Sequence, residues 1–107
     1  MRKKYLHELA KTIRSKNAGV DRITFDIVFE KKHDYQLVRD SNVITKKSMA
    51  ELYNIPIERI TDFVLYDPAN AIKFTIDRDR PSGSPGDSDV FGSQQYAPLL
   101  HVEIPVS

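Results

Sequence analysis

The sequence predicts an α+β fold, an antiparallel sheet with two helices on one face, in a ferredoxin-like arrangement or a variant of it. Three observations carry this expectation. Residues 23–29, 60–66 and 71–77 are rich in β-branched and aromatic side chains, and the first and last alternate apolar with polar. Two helical patterns, at 31–40 and 45–53, stand side by side between the first and second of these strands. Asp67-Pro68-Ala69-Asn70 is a tight turn that makes 60–66 and 71–77 a hairpin. At 107 residues and 12.3 kDa, the whole of 1–107 is expected to form one domain around one core.

Taken in order, Tyr5–Arg14 supports two readings. Tyr5, Leu6, Leu9, Ala10 and Ile13 share one face of a helix; the alternative is a strand pairing with the next segment. Ser15-Lys16-Asn17-Ala18-Gly19 is expected to break the element, with Asn17 and Gly19 able to take positive φ. In 23–29 the row Ile23, Phe25, Ile27, Phe29 faces the core. Asp26 lies opposite it, toward solvent or a partner. Tyr35 and Val38 are the inward pair of the first helix, which Ser41-Asn42 ends. Thr45 suits the N-cap of the second, because its hydroxyl can accept an orphan backbone N–H. Met49, Leu52 and Tyr53 form its apolar stripe, Asn54 closes it in the left-handed conformation, and Pro56 stops it continuing. The run Phe63-Val64-Leu65-Tyr66 predicts burial on both faces. A last strand is expected over 99–104, with His101 and Glu103 on its polar side.

Sixteen basic against fifteen acidic residues leave a net charge of +1, which argues against nucleic-acid binding driven by bulk charge. Arg2-Lys3-Lys4 reads as a frayed, solvated terminus. With no cysteine there are no disulfides, thiolate metal sites or cysteine nucleophiles. No apolar run approaches the roughly 20 residues a membrane span needs. Met1–Ile13 is too charged for a signal peptide, so cytoplasm is the expected location.

Chemistry concentrates in two polar, glycine-bearing stretches. Arg14, Ser15, Lys16, Asn17 and Gly19 offer a guanidinium, an ammonium, a hydroxyl, an amide and turn N–H groups, a set suited to a carboxylate or phosphate. The order is not that of a phosphate-binding P-loop, and an exposed turn with solvated charges has the same composition. The second stretch lies in Arg80–Leu100, RPSGSPGDSDVFGSQQYAPLL, which holds three of the four glycines and three of the six prolines. A loop of this length, over 80–98, is expected to be functional. Within it Ser82, Gly83, Ser84, Gly86, Asp87, Ser88 and Asp89 supply donors, carboxylates and a backbone that can approach a ligand. Asp87 and Asp89 lack the further ligands of a calcium loop, and neither His7, His33 nor His101 has motif spacing to a loop serine. No metal or cofactor is therefore expected. His101 reads as a solvent-facing strand residue and Tyr96 as structural. Phe91 and Tyr96 together also fit a protein contact.

The segments LAKTIRSKNAG at 9–19, LYNIP at 52–56, DPA at 67–69 and PSGSPGDSDVFGSQQYAPLL at 81–100 resemble the family of small proteins that accompanies the acyclic terpene utilisation (AtuA) family. The resemblance spans about Leu6 to Pro105 and departs from it at Val20, where proline is expected. It implies a two-component assembly with a larger AtuA-type protein linked to catabolism of branched acids or their coenzyme A thioesters. It also implies a strand over Leu6–Arg14 paired with Ile23–Phe29, and this reading is preferred over the helix.

The leading expectation is thus a small subunit or accessory protein of such an enzyme. The turn at Arg14–Gly19 and the loop at Pro81–Asp89 would meet at one end of the sheet and bind an anionic group. The alternatives are a stand-alone lyase, hydratase or isomerase, with Asp87 or Asp89 as base and Arg14 holding a carboxylate, and a homo-oligomeric scaffold.

Overall fold

The computed structural model describes residues 2–19, 21–77 and 96–106. A four-stranded antiparallel sheet carries the fold. Its strands are β2 (Thr12–Asn17), β3 (Arg22–Val28), β4 (Ile60–Tyr66) and β5 (Ala71–Asp77), in spatial order β2-β3-β5-β4. Strands β2 and β3 form one hairpin, β4 and β5 another, and β3 joins the hairpins by pairing with β5. The helices α2 (Lys32–Ser41) and α3 (Lys46–Leu52) both lie between β3 and β4. The main sheet and the helices between its hairpins thus run β-β-α-α-β-β, within the expected class of antiparallel sheet plus helices.

Register explains the layering. Ser15, Phe25 and Phe74 are paired in one row, and Arg14, Asp26, Lys73 and Val64 in the next. Alternate rows face opposite sides of the sheet. The inner side buries Ile23, Phe25, Ile27, Ile72, Phe74 and Ile76 against Tyr35 and Val38 of α2 and Met49 and Ala50 of α3. Phe25 and Phe74 stack 4.6 Å apart, and Tyr53 leans on Phe25 at 5.2 Å. The α3 stripe is narrower than expected, because Leu52 stays exposed.

The helix ends obey local chemistry. Thr45 Oγ1 accepts from Ser48 N at 3.0 Å, and Ser48 Oγ accepts from Thr45 N at 2.8 Å, a reciprocal capping box. Asn42, Asn54 and Asn70 all take positive φ, closing the two helices and the β4–β5 turn.

Several expectations are corrected. Neither reading of residues 5–14 holds throughout: β1 (Lys3–Tyr5) is followed by one turn of helix, α1 (Leu6–Leu9), and β2 begins at Thr12. The helical period held only as long as Leu6 needed to reach the core, where it is fully buried. Lys3 and Lys4 do not fray; they pair with β6 (Glu103–Pro105) in a separate two-stranded sheet. Ser15, Lys16 and Asn17 continue β2 rather than breaking it, because each finds a ladder partner in β3. Gly19, at φ 92°, makes the turn. Asp26 is buried, not solvated. Phe63–Tyr66 is not buried on both faces, since β4 is an edge strand and Val64, Leu65 and Tyr66 are 43–49% exposed. Ala97–His101 is a 3₁₀ turn that buries Leu99, so the last strand shrinks to 103–105.

Candidate functional site

The outer side of the sheet displays the rows that alternate with the core. Arg14 of β2, Asp26 of β3 and Lys73 of β5 stand side by side. Arg14 Nε donates to Asp26 Oδ2 at 3.2 Å, and Lys73 Nζ lies 3.8 Å from Oδ1. The carboxylate side chain is 7% exposed, whereas Arg14 and Lys73 are 63% and 54% exposed. Asp26 Oδ1 is buried and accepts no hydrogen bond within the described residues. One buried anion therefore sits beneath two solvent-facing cations. The next row adds Lys16, then Thr24 and Thr75, whose hydroxyls are 3.5 Å apart. A guanidinium and two ammonium groups on one sheet face, with hydroxyls beside them, suit an acidic group on a ligand or a partner.

This arrangement divides the first predicted stretch. Arg14 and Lys16 share the outer face. Ser15 is on the inner face, buried, and its Oγ accepts from Tyr96 N at 3.0 Å. Asn17 is half-buried on that same side at the end of β2, and Gly19 is exposed in the turn. The five residues do not form a single nest. Ser82, Gly83, Ser84, Gly86, Asp87, Ser88 and Asp89 lie outside the described residues, as does Phe91. The chain around them is nevertheless anchored near the candidate site. Asp77 pairs with Arg22 at 3.3 Å beside the β2–β3 turn, and Tyr96 meets Ser15 on β2. Tyr96 thus has the structural role expected of it.

Asp26, Lys73, Thr24 and Thr75 were not singled out from the sequence as site residues. The signal was present: each lies on the polar side of an alternating strand, in the parity that Arg14 and Lys16 share once β2 is recognised as a strand.

Two further polar clusters lie elsewhere. The Tyr35 hydroxyl donates to Asp67, which also accepts from Arg39 Nη1 at 3.3 Å, while Arg39 Nε donates to Asp40 at 2.9 Å. Burial, then the bond to Asp67, pushes the Tyr35 phenol up to about 12. The Tyr35 hydroxyl, then the Arg39 guanidinium, holds the Asp67 carboxyl below the usual carboxylate range. This network ties α2 to the β4–β5 turn. His101, which is not on a strand, meets Tyr5 edge-on at 5.2 Å and His7 at 5.6 Å. A groove of about 400 Å³ beside α2 is lined by His33, Gln36, Leu37, Asp40, Ser41 and Pro105. Among the described residues, no three His, Cys, Asp or Glu side chains come together as a metal-binding group. None of the described helices is long and apolar enough to cross a membrane.

These features define a class: a small α+β protein with helices on one face of an antiparallel sheet and a paired, cation-bearing row on the other. The chain belongs to the family described as Domain of unknown function (DUF4387), whose match covers residues 6–103. No curated protein and no solved structure matches the chain.

Proposed function

We propose that this chain is the small accessory subunit of a two-component, AtuA-type catabolic enzyme acting on branched acids or their coenzyme A thioesters. Its part is to present cations from the open sheet face to an acidic group of the substrate or the larger subunit. The observation that supports this reading is the Arg14–Asp26–Lys73 row. Asp26 is buried beneath the two cations and bonded to Arg14, so the guanidinium is held against the sheet rather than left to sample solution. Preorganised cations lose less side-chain entropy when they meet an anion. Lys16 extends the row toward the end of the sheet where Asp77 and Tyr96 bracket the long polar stretch. The carboxylate of a branched acid, or the phosphates of the coenzyme A moiety of its thioester, supply the matching charge.

The test is co-expression with the larger protein, weighed by light scattering, followed by the Arg14→Ala/Lys16→Ala variant. A stable hetero-complex is expected. The variant should retain its fold and lose at least about tenfold in turnover by the pair, about 1.4 kcal/mol. Two separate species, or unchanged turnover, would overturn the proposal. Turnover of a branched acid by the lone chain would replace it with a stand-alone enzyme.

A further inference from the structure

The two edges of the four-stranded sheet are built differently. On β2 the edge carries Arg14 and Lys16, and Ser15 is engaged by Tyr96. Charge and a covering segment of this kind blunt an edge. On β4 the edge carries a bulge between Ile60 and Asp62 and one acid, Asp62, after which Phe63-Val64-Leu65-Tyr66 runs without a charge. Val64 and Tyr66 face the outer side and Leu65 the inner side, at 46%, 49% and 43% exposure. A water-facing edge strand should alternate apolar with polar; this one is apolar in both parities. Among the described residues only β5 pairs with it.

The geometry points to a second copy of this chain pairing through β4, antiparallel, about a two-fold axis at Val64. An extended strand is the occupant because the edge offers a row of backbone donors and acceptors. The register follows from side-chain complementarity. A two-fold axis normal to the sheet must pass through a residue pair, since paired residues share a face. At Asp62 it would set carboxylate against carboxylate, a destabilising pair. At Phe63 it would set Asp62 against Val64. Centred on Leu65, it would set the Asp67 carboxylate against Phe63. With Val64 on the axis, Val64 meets its own copy, Phe63 meets Leu65, and the Asp62 carboxylate meets the Tyr66 phenol, a hydrogen-bond donor. The product is a continuous eight-stranded sheet, β2-β3-β5-β4-β4-β5-β3-β2. All its helices lie on one side, and both Arg14–Asp26–Lys73 rows line up on the other. This pairing is independent of the larger subunit proposed above.

Sedimentation of the full chain alone over a wide concentration range tests it. A species of twice the 12.3 kDa mass is expected. Val64→Lys sets like charges face to face across the axis and should raise the dimer dissociation constant at least about tenfold, with circular dichroism showing that the chain stays folded, since the same lysine also stands opposite Lys73 in its own sheet. The chain has no cysteine, so single cysteines at 62, 64 and 66 can carry spin labels. Their separation should be shortest at 64 and larger at 62 and 66, where the copies are offset along the strand by about 7 Å per residue moved from 64, twice the strand rise. A monomer at every concentration overturns the inference. So does a dimer indifferent to Val64→Lys, a distance minimum away from 64, or β4 pairing that occurs only when a different protein is added.

Discussion

At the scale of single residues, the outer face turns on Asp26. A buried carboxylate adds little net stability when its partners are largely exposed, because desolvation offsets the ion-pair attraction. Asp26→Asn keeps the shape and gives up the charge. Its expected cost to folding is about 1 kcal/mol, read by chemical denaturation, while partner or substrate binding should fall more than stability does. Equal losses in the two would make Asp26 a structural residue only. Tyr35 poses the complementary case. Its phenol is pushed up to about 12 from 10.0, so the stability tied to it is complete below pH 10 and fades as pH climbs toward 12. Asp67 is shifted the other way, so its contribution is present above the ordinary carboxyl pKa and fades as pH falls through the depressed one. Tyr35→Phe removes the hydroxyl that links them. Melting temperature plotted against pH should flatten on both limbs in this variant; a curve parallel to the wild type would show that the bond does not form in solution.

At the scale of elements, the clearest sequence signals were those enforced by local chemistry. The Thr45 cap was legible because a hydroxyl four residues before the first residue of an apolar stripe has one good use, and Thr45→Ala should cost about 1 kcal/mol, measured from the unfolding midpoint. Asn54→Gly should be nearly neutral, since φ 55° suits glycine as well. The strands at 23–29 and 71–77 were legible from alternation. The N-terminal segment was not, because Tyr5–Ile13 is divided among β1, α1 and the start of β2, each too short to impose its period on a window. The Arg14–Gly19 stretch misled for a related reason. Its composition is that of a turn, but β3 offers ladder partners as far as Asn17, and pairing outweighs the turn preference of Asn. Only after that pairing is known do Arg14 and Lys16 fall on one face with Asp26 and Lys73. The edge position of β4 was equally hidden: four apolar residues in a row read as a buried strand, and strand order is set by which hairpin β3 joins.

At the scale of the whole molecule, the two ends of the chain hold each other. Residues 96–106 return to the N-terminal segment repeatedly: Tyr96 N donates to Ser15 Oγ, Leu6 N donates to Val102 O at 2.8 Å, His101 meets Tyr5 and His7, and β6 pairs with β1. Leu6, Leu99 and Ile104 are fully buried at this junction and belong to the same core as Phe25 and Tyr35. The small sheet is therefore a clasp on the main core, not an ornament. Ile104→Ala removes three carbons from a site with no exposure and should cost about 2–5 kcal/mol, a large share of the roughly 5–15 kcal/mol that holds a domain of this size. Because Ile104 joins the general core, the loss should appear as one cooperative transition at a lower denaturant midpoint. Amide exchange of Leu6 and Tyr96 should accelerate together with that of the β3 and β5 strands. Faster exchange at Leu6 and Tyr96, with β3 and β5 unchanged, would mean that the clasp opens separately. The anchoring of Tyr96 beside Arg14 would then be conditional, and the cation row would have to act without the segment that returns to it.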